Sequence, residues 1–282
     1  VSKNISSINH SAANSARAVG KHIVDVHWPL AGLCRSVKAF TTTRQRAGNT
    51  ELTRGYASFN LGLHVGDDPT RVSANRASLG NQLPNGANIQ WLNQVHGAEV
   101  AVIAHHQQEP VTADAAVTRL PHLALAVMTA DCLPILLSDK SGQVIGAIHG
   151  GWRPLAQNII QRTIEAMGGA GEQLVAWLGP CIGPTAFEVG EEVKSAFTAL
   201  DTATGNAFKR IPSRVFPAQK ETALEPQKYL ADLHQLATVL LNTAGVTAIS
   251  RLAHCTYSMP EHYYSFRREN ITGRMATVIC RR

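Results

Sequence analysis

Charge, aromatic rings and cysteine are all scarce in this chain of 282 residues: 16% of side chains are charged, 6% are aromatic, and there are five cysteines. Low charge beside 44% apolar side chains excludes a disordered polymer and allows a sizeable core. Cys34, Cys132, Cys181, Cys255 and Cys280 are odd in number, widely spread and without CxxC spacing, which argues against a secreted disulfide framework and for a reducing cytoplasm. No apolar run approaches the roughly 20 residues that cross a bilayer, so no membrane partner is expected. The stretch from Val1 to Lys21 is rich in Ser, Asn and Ala but lacks the apolar block of a signal peptide. Residues 1–24 therefore read as a loose tail. The net charge of +6 comes from scattered basic residues, clustered only at Arg267, Arg268, Arg274, Arg281 and Arg282. A solvated surface accounts for them, and no nucleic-acid partner is expected.

Without repeats or a low-complexity linker, residues 25–282 read as one domain. Strands are expected at Val37 to Thr43, Ile89 to Leu92, Glu99 to Ile103, Leu123 to Met128, Pro134 to Ser138, Val144 to His149, Leu174 to Leu178, Val246 to Leu252 and Met275 to Cys280. Several are apolar on both faces, as in a buried sheet. Helical spacing of Leu230, Leu233, Leu236, Ala237, Leu240 and Leu241 predicts a helix from Tyr229 to Thr243, stopped by Gly245. A second helix is predicted to start at Pro154 and run to Met167, with others after Asp68-Pro69 and over Glu191 to Leu200. Irregular interspersion of strands and helices implies an α+β fold in layers.

Chemistry concentrates where strands end. Leu123 to Met128 runs into Asp131-Cys132, the next apolar run but one delivers His149 into Gly150-Gly151-Trp152, and His96 lies between two short strands. Two imidazoles and one thiolate suit zinc, and three protein ligands leave a fourth tetrahedral position for water or substrate. A single buried cysteine or lone histidine is more simply a packed or hydrogen-bonded side chain. The spacing between the three residues matches no zinc-finger pattern.

The chain resembles the laccase-domain, YfiH-like proteins related to purine nucleoside phosphorylases. The resemblance covers nearly the whole chain from about Phe40. It rests on Phe40-Thr41-Thr42-Thr43-Arg44, Asn60-Leu61-Gly62-Leu63-His64-Val65-Gly66-Asp67, Asn93-Gln94-Val95-His96-Gly97, Ala113-Asp114-Ala115 and Thr129-Ala130-Asp131-Cys132-Leu133-Pro134. It continues through Ala147-Ile148-His149-Gly150-Gly151-Trp152-Arg153, Gly179-Pro180-Cys181-Ile182-Gly183-Pro184 and Tyr264-Ser265-Phe266-Arg267-Arg268. The resemblance implies a layered α/β/β/α sandwich with mixed sheets and one zinc ion on His96, Cys132 and His149. It also implies phosphorolysis of adenosine, inosine, guanosine and methylthioadenosine, and hydrolytic deamination of adenosine. The chain departs from the family at Gln45-Arg46-Ala47-Gly48, beside Arg44, where a glycine pair is common.

For such reactions Asp131 and Asp114 are the candidate general acid or base, and Asp131 serves only if the chain turns there. Asp131 has a plainer reading as a turn residue that fixes the loop. Phosphate needs cations or helix N–H groups: Arg44, then Arg153 and Arg267, and the helix start at Pro154 are the candidates, each cation equally readable as a salt-bridge partner. Asn60 and Gln94 are candidate ribose or base contacts, and Trp152 a candidate stacking surface. Gly179 to Pro184 reads as a rigid turn. Purine nucleosides and phosphate are the expected partners, and a monomer the expected state. Three rival readings stand: a copper-dependent polyphenol oxidase, a cysteine hydrolase with Cys132 as nucleophile and His149 as base, and a zinc-stabilised binding module closed by a fourth ligand such as His64.

Overall fold

The structure is a computed structural model and describes residues 22–45, 55–212 and 226–282. The first strands are β1 (Ile23–Asp25), β2 (Val37–Thr42), β3 (Asn88–Gln90), β4 (Leu92–Asn93), β5 (Val100–Ile103), β6 (Val111–Thr112) and β7 (Ala115–Thr118). Then come β8 (Leu123–Thr129), β9 (Leu133–Asp139), β10 (Ile145–Gly150), β11 (Leu174–Leu178) and β12 (Glu188–Gly190). The last are β13 (Phe208–Arg210), β14 (Lys228–Ala231), β15 (Ala248–Arg251) and β16 (Met275–Arg281). The α-helices are α1 (Pro69–Gly80), α2 (Trp152–Ala156), α3 (Ile159–Met167), α4 (Glu191–Leu200) and α5 (Leu233–Thr243).

Two mixed sheets dominate, ordered β1-β2-β16-β8-β3 and β15-β11-β9-β10-β7-β5. Alternation along their strands assigns the layers. On β8, Leu125 and Val127 enter a core shared with Leu136, Ala147, Val175 and Trp177 of the second sheet, so the two sheets pack face to face. Ala124 and Ala126 point the other way, toward Leu79 of α1. On β9, Leu133, Ile135 and Leu137 turn outward to a core built with Ile160 and Ile164 of α3, Phe197 of α4 and Leu236 of α5. These faces make the α/β/β/α sandwich with mixed sheets that the resemblance implies. Burial of β8 and β9 on both faces explains their near-continuous apolar sequences.

Two helix expectations are corrected. The helix expected from Tyr229 to Thr243 begins at Leu233, because Tyr229 and Leu230 belong to β14, paired with β12 and β13. Asp232 ends the strand and caps the helix by accepting from the Gln235 N–H. The helix expected from Pro154 to Met167 starts earlier, at Trp152, and is broken after Ala156, where Asn158 is left-handed at φ 63° and α3 begins anew. The strand expected at Ile89 to Leu92 divides into β3 and β4, which lie in different sheets. The proposed tail boundary after residue 24 falls inside β1, which pairs with β2. Residues 1–21, and Arg46 to Gly48 of the departure noted above, lie outside the described residues. No helix among the described residues is long and apolar enough to cross a membrane.

Candidate metal centre and cavity

Strand β8 belongs to one large sheet and β9 to the other, so the chain crosses between sheets through Ala130, Asp131 and Cys132. The crossing turns at Asp131, whose φ of 92° is left-handed. Strand β10 pairs antiparallel with β9, setting Gly150 opposite Leu133 and His149 opposite Pro134, so His149 and Cys132 share one end of the sheet. His96 joins them from the turn between β4 and β5, also left-handed at φ 58°. Such backbone costs a non-glycine residue roughly 1–2 kcal/mol, so surrounding contacts must hold both turns.

Asp114 supplies that hold for His96. Its buried Oδ1 accepts from the His96 N–H at 3.0 Å and from His149 Nδ1 at 2.8 Å, while Oδ2 accepts from Val95 N–H at 3.2 Å and Gly97 N–H at 2.7 Å. One carboxylate thus fixes the backbone of one histidine and the ring of the other. Burial would raise its pKa, but His149 and the Gly97 and Val95 N–H groups outweigh burial and hold it below the usual carboxylate range. Asp114 is fully buried and is not among the residues that line the cavity.

Asp131 is similarly committed. Oδ1 accepts from Thr256 Oγ1 at 2.6 Å, and Oδ2 from Ser265 Oγ at 3.0 Å and Arg267 N–H at 2.7 Å, so the carboxylate ties the crossing turn to the 256–267 segment.

One nitrogen each of His96 and His149 and the Cys132 Sγ lie within 4.8 Å of one another, with Cys132 Sγ 4.0 Å from His96 Nε2. Among the described residues this is the one His/Cys/Asp/Glu group that can hold a metal ion. Zinc bonds of about 2.0–2.3 Å in a tetrahedron bring N and S donors to roughly 3.5 Å, so small side-chain movements close the set. Burial alone would raise the Cys132 thiol, yet His149 and His96 lower it to about 6. Burial alone would lower His149, yet Cys132 and Asp114 raise it to about 9. The protein without metal therefore favours a thiolate–imidazolium pair, and the soft anion a metal requires is already favoured. Gly151 makes the approach possible: a Cβ there would stand 3.2 Å from Cys132 Sγ and 3.4 Å from His96 Cδ2. At Gly150 a Cβ would meet the Leu133 carbonyl oxygen at 2.6 Å.

The three residues open into a cavity of about 370 Å³, within the range of small-molecule sites. Met128, Ile182, Phe187 and Phe266 give it apolar faces, and His64, Arg267 and Arg274 its cationic and imidazole groups. His64 is outside the set of converging donor atoms, which leaves a fourth coordination position without a protein ligand among the described residues.

Of the other sequence candidates, Gln94 and Arg267 line the cavity. The Gln94 amide is used twice by Met128, donating to its carbonyl at 2.8 Å and accepting from its N–H at 2.7 Å. Arg44, Asn60 and Arg153 do not line it. Arg44 is buried on Tyr264, donating to the Pro260 carbonyl and paired with Glu269 at 3.3 Å. Asn60 ties its own turn together: its Oδ1 accepts from the Gly62 and Arg274 N–H groups and its Nδ2 donates to Asp67. Exposed Arg153 lies over the Trp152 ring, which packs at the edge of the helix-side core rather than in the cavity. Because α2 has only five residues, its dipole is too short to seat phosphate as expected from the Pro154 start. Cys181 is buried, and desolvation raises its thiol well above the ordinary value, which agrees with a structural turn. Sequence reasoning missed Arg274, Phe187, Phe266 and Met128; only a cluster of arginines near the C-terminus signalled the first.

The fold and site define a layered α+β sandwich whose two large sheets meet at a His-Cys-His group able to hold a metal ion, beside an apolar and cationic cavity. The family described as multi-copper polyphenol oxidoreductase laccase matches residues 38–282, and the chain belongs to that family. It is 40% identical over 243 residues to a Pseudomonas aeruginosa protein named purine nucleoside phosphorylase, covering 86% of this chain and 93% of that one. It is also 40% identical over 226 residues to the Escherichia coli purine nucleoside phosphorylase YfiH, covering 79% and 86%. The crystal structure of a Neisseria meningitidis protein matches with a TM-score of 0.81 at 37% identity, covering 93% of this chain and 99% of that one. The crystal structure of YlmD from Geobacillus stearothermophilus matches with a TM-score of 0.74 at 28% identity, covering 89% and 94%.

Proposed function

We propose that this protein is a zinc-dependent purine nucleoside enzyme of the cytoplasm, active as a monomer. It cleaves adenosine, inosine, guanosine and methylthioadenosine by phosphorolysis and deaminates adenosine hydrolytically. The observation that carries this reading is the convergence of His96, Cys132 and His149 on a nucleoside-sized cavity with apolar faces and unneutralised arginines, in a chain whose relatives are named purine nucleoside phosphorylases. When bound, zinc supplies Lewis acidity that lowers the pKa of water toward neutrality and polarises substrate oxygen or nitrogen.

The chain's own residues do the rest. Asp114 orients His149 and the His96 turn, acting as a positioning residue in place of the acid–base role the sequence suggested. The Met128, Ile182, Phe187 and Phe266 faces bury the purine and exclude water from it. Asp131 keeps the turn bearing Cys132 tied to the segment that carries Phe266 and Arg267. In phosphorolysis a phosphate oxygen bonds to ribose C1′ as the C1′–N9 bond breaks, the electron pair leaves with N9, and the base takes up a proton. In deamination a water oxygen bonds to C6 as the C6–N6 bond breaks, one water proton leaving with the amino group as ammonia and the other passing to N1 of the base.

Chromatography of adenosine incubations with and without phosphate tests the reading. Adenine appearing only with phosphate, and inosine appearing without it, are the expected products; a zinc-loaded protein that yields neither contradicts it.

A second reading has an observation of its own. Cys132, His149 and Asp114 stand in the order of a nucleophile, its base and an orienting carboxylate, the arrangement of a cysteine hydrolase. Activity that survives complete metal removal and is abolished by alkylation of Cys132 would favour it. The copper oxidase reading needs several metal centres. His105 and His106, the adjacent pair it would recruit, are exposed on a loop.

A further inference from the structure

Arginines beside a cavity are usually neutralised by carboxylates, and here they are not. Among the described residues neither Arg267 nor Arg274 forms a salt bridge, nor does Arg76 behind them. Among the described residues the Arg274 guanidinium hydrogen-bonds through Nη1, donating to the carbonyls of Thr272 and Gly273 at 3.0 Å, and faces the Phe266 ring at 6.0 Å. Among the described residues the Arg267 guanidinium makes long contacts, 3.3–3.4 Å, to the carbonyls of Ala186 and Glu188, and lies 5.6 Å from the Phe187 ring centroid, with no carboxylate partner. Asp131, the one carboxylate lining the cavity, already accepts from Thr256, Ser265 and the Arg267 backbone. Two guanidinium charges therefore face one spent carboxylate.

The arginine and the neighbouring imidazole are also held in place. Asn60 Oδ1 accepts from the Arg274 N–H at 2.8 Å and from Gly62 N–H at 2.9 Å, and Asn75 holds the Asn60 carbonyl at 3.0 Å, so the turn carrying His64 is clipped to the residue before β16. Gly62 lies directly on the Arg274 side chain, where a Cβ would stand 2.9 Å from its Cγ. Arg76, stacked 4.0 Å from the Trp91 ring centroid, donates to the Leu61 carbonyl and supports the same turn from behind. An oriented, unpaired guanidinium pair suits an oxyanion with several acceptor oxygens, which can take one fork from each arginine.

We propose that Arg274, Arg267 and His64 form the seat of an inorganic phosphate dianion in this cavity, the co-substrate of phosphorolysis. The inference rests on the reading of the cavity as a nucleoside site and replaces the Arg44 and Pro154 seats that the sequence suggested. Arg274 and Arg267 supply the charge, and the His64 imidazole donates a hydrogen bond.

Calorimetric titration of the full-length, metal-loaded chain with inorganic phosphate, without nucleoside, tests the seat. Arg274→Met and Arg267→Met should each weaken phosphate binding about tenfold or more, as loss of a charge-assisted hydrogen bond does, and His64→Ala less. Arg162→Met, which removes an equal charge from exposed α3, should bind as wild type. In the adenosine assay the Arg274→Met variant should raise the KM for phosphate tenfold while the KM for adenosine stays within about twofold. Arg274→Lys keeps a charge but not the fork, and should fall between; it and His64→Ala carry the test if Arg274→Met does not fold. Phosphate binding equal in wild type, Arg274→Lys and Arg267→Met overturns the seat, even with nucleoside cleavage intact. Arg274-dependent phosphate binding in a protein that cleaves no nucleoside would uphold the seat and sink the nucleoside reading instead.

Discussion

Asp114 is the residue on which both histidines depend, and it makes separable predictions. Asp114→Asn keeps the size of the side chain but removes the charge that His149 Nδ1 and three N–H groups require. Zinc affinity, measured by competition with a chromophoric chelator, should fall about 10- to 100-fold; unchanged affinity would deny the positioning role. Because the folded pKa of Asp114 is depressed, its contribution to stability is fully present above an ordinary carboxylate pKa of about 4 and is lost as pH falls through its lower folded value. The Cys132 thiol is likewise depressed, to about 6, so in metal-free protein its thiolate persists as pH falls from 9 to about 6. Site-resolved alkylation by mass spectrometry should therefore show a midpoint near 6 for Cys132, and zinc should suppress the reaction. A midpoint near the ordinary thiol value of about 8.5 would contradict the thiolate–imidazolium pair.

The boundary between β14 and α5 rests on one cap. Asp232→Ala removes the acceptor for the Gln235 N–H and should cost about 1 kcal/mol, lowering the midpoint of thermal unfolding by about 2–4 °C. That cap also marks where the sequence was hard to read. Tyr229 and Leu230 continue the apolar spacing of α5 by coincidence, and only pairing with β12 and β13 makes them strand. Strands β8, β9 and β11 were legible because burial on both faces leaves an unbroken apolar run. Strand β7, Ala-Ala-Val-Thr, was not, since small side chains carry no period and its place is set by β5 and β10. At the site, Cys132 and His149 were legible as chemistry-bearing residues at strand ends beside glycines. The task of Asp114 was not, because its contacts reach 18 residues back and 35 forward. Arg274 and Phe266 were equally hidden, being brought to the cavity from a segment far along the chain by the return of β16 beside β8.

Among the described residues of the whole molecule, three large packed cores lie on and between two large sheets, a smaller fourth gathers around Tyr263 and Tyr264, and the candidate metal centre sits where the chain crosses from one sheet to the other. Most core residues come from strands and helices away from the three ligands, so chelation should leave the far-ultraviolet circular dichroism spectrum unchanged while removing activity. Unfolding on chelation would instead mark a structural zinc site and return the binding-module reading.

On the proposed function, His96, Cys132 and His149 hold one metal ion that serves nucleoside cleavage. Its most direct test titrates metal-free protein with zinc and follows, in the same samples, bound zinc and phosphate-dependent release of adenine from adenosine. Release should rise in proportion to bound zinc, level at one ion per chain, and be absent from Cys132→Ala. Full cleavage by metal-free protein, or by Cys132→Ala, would contradict it.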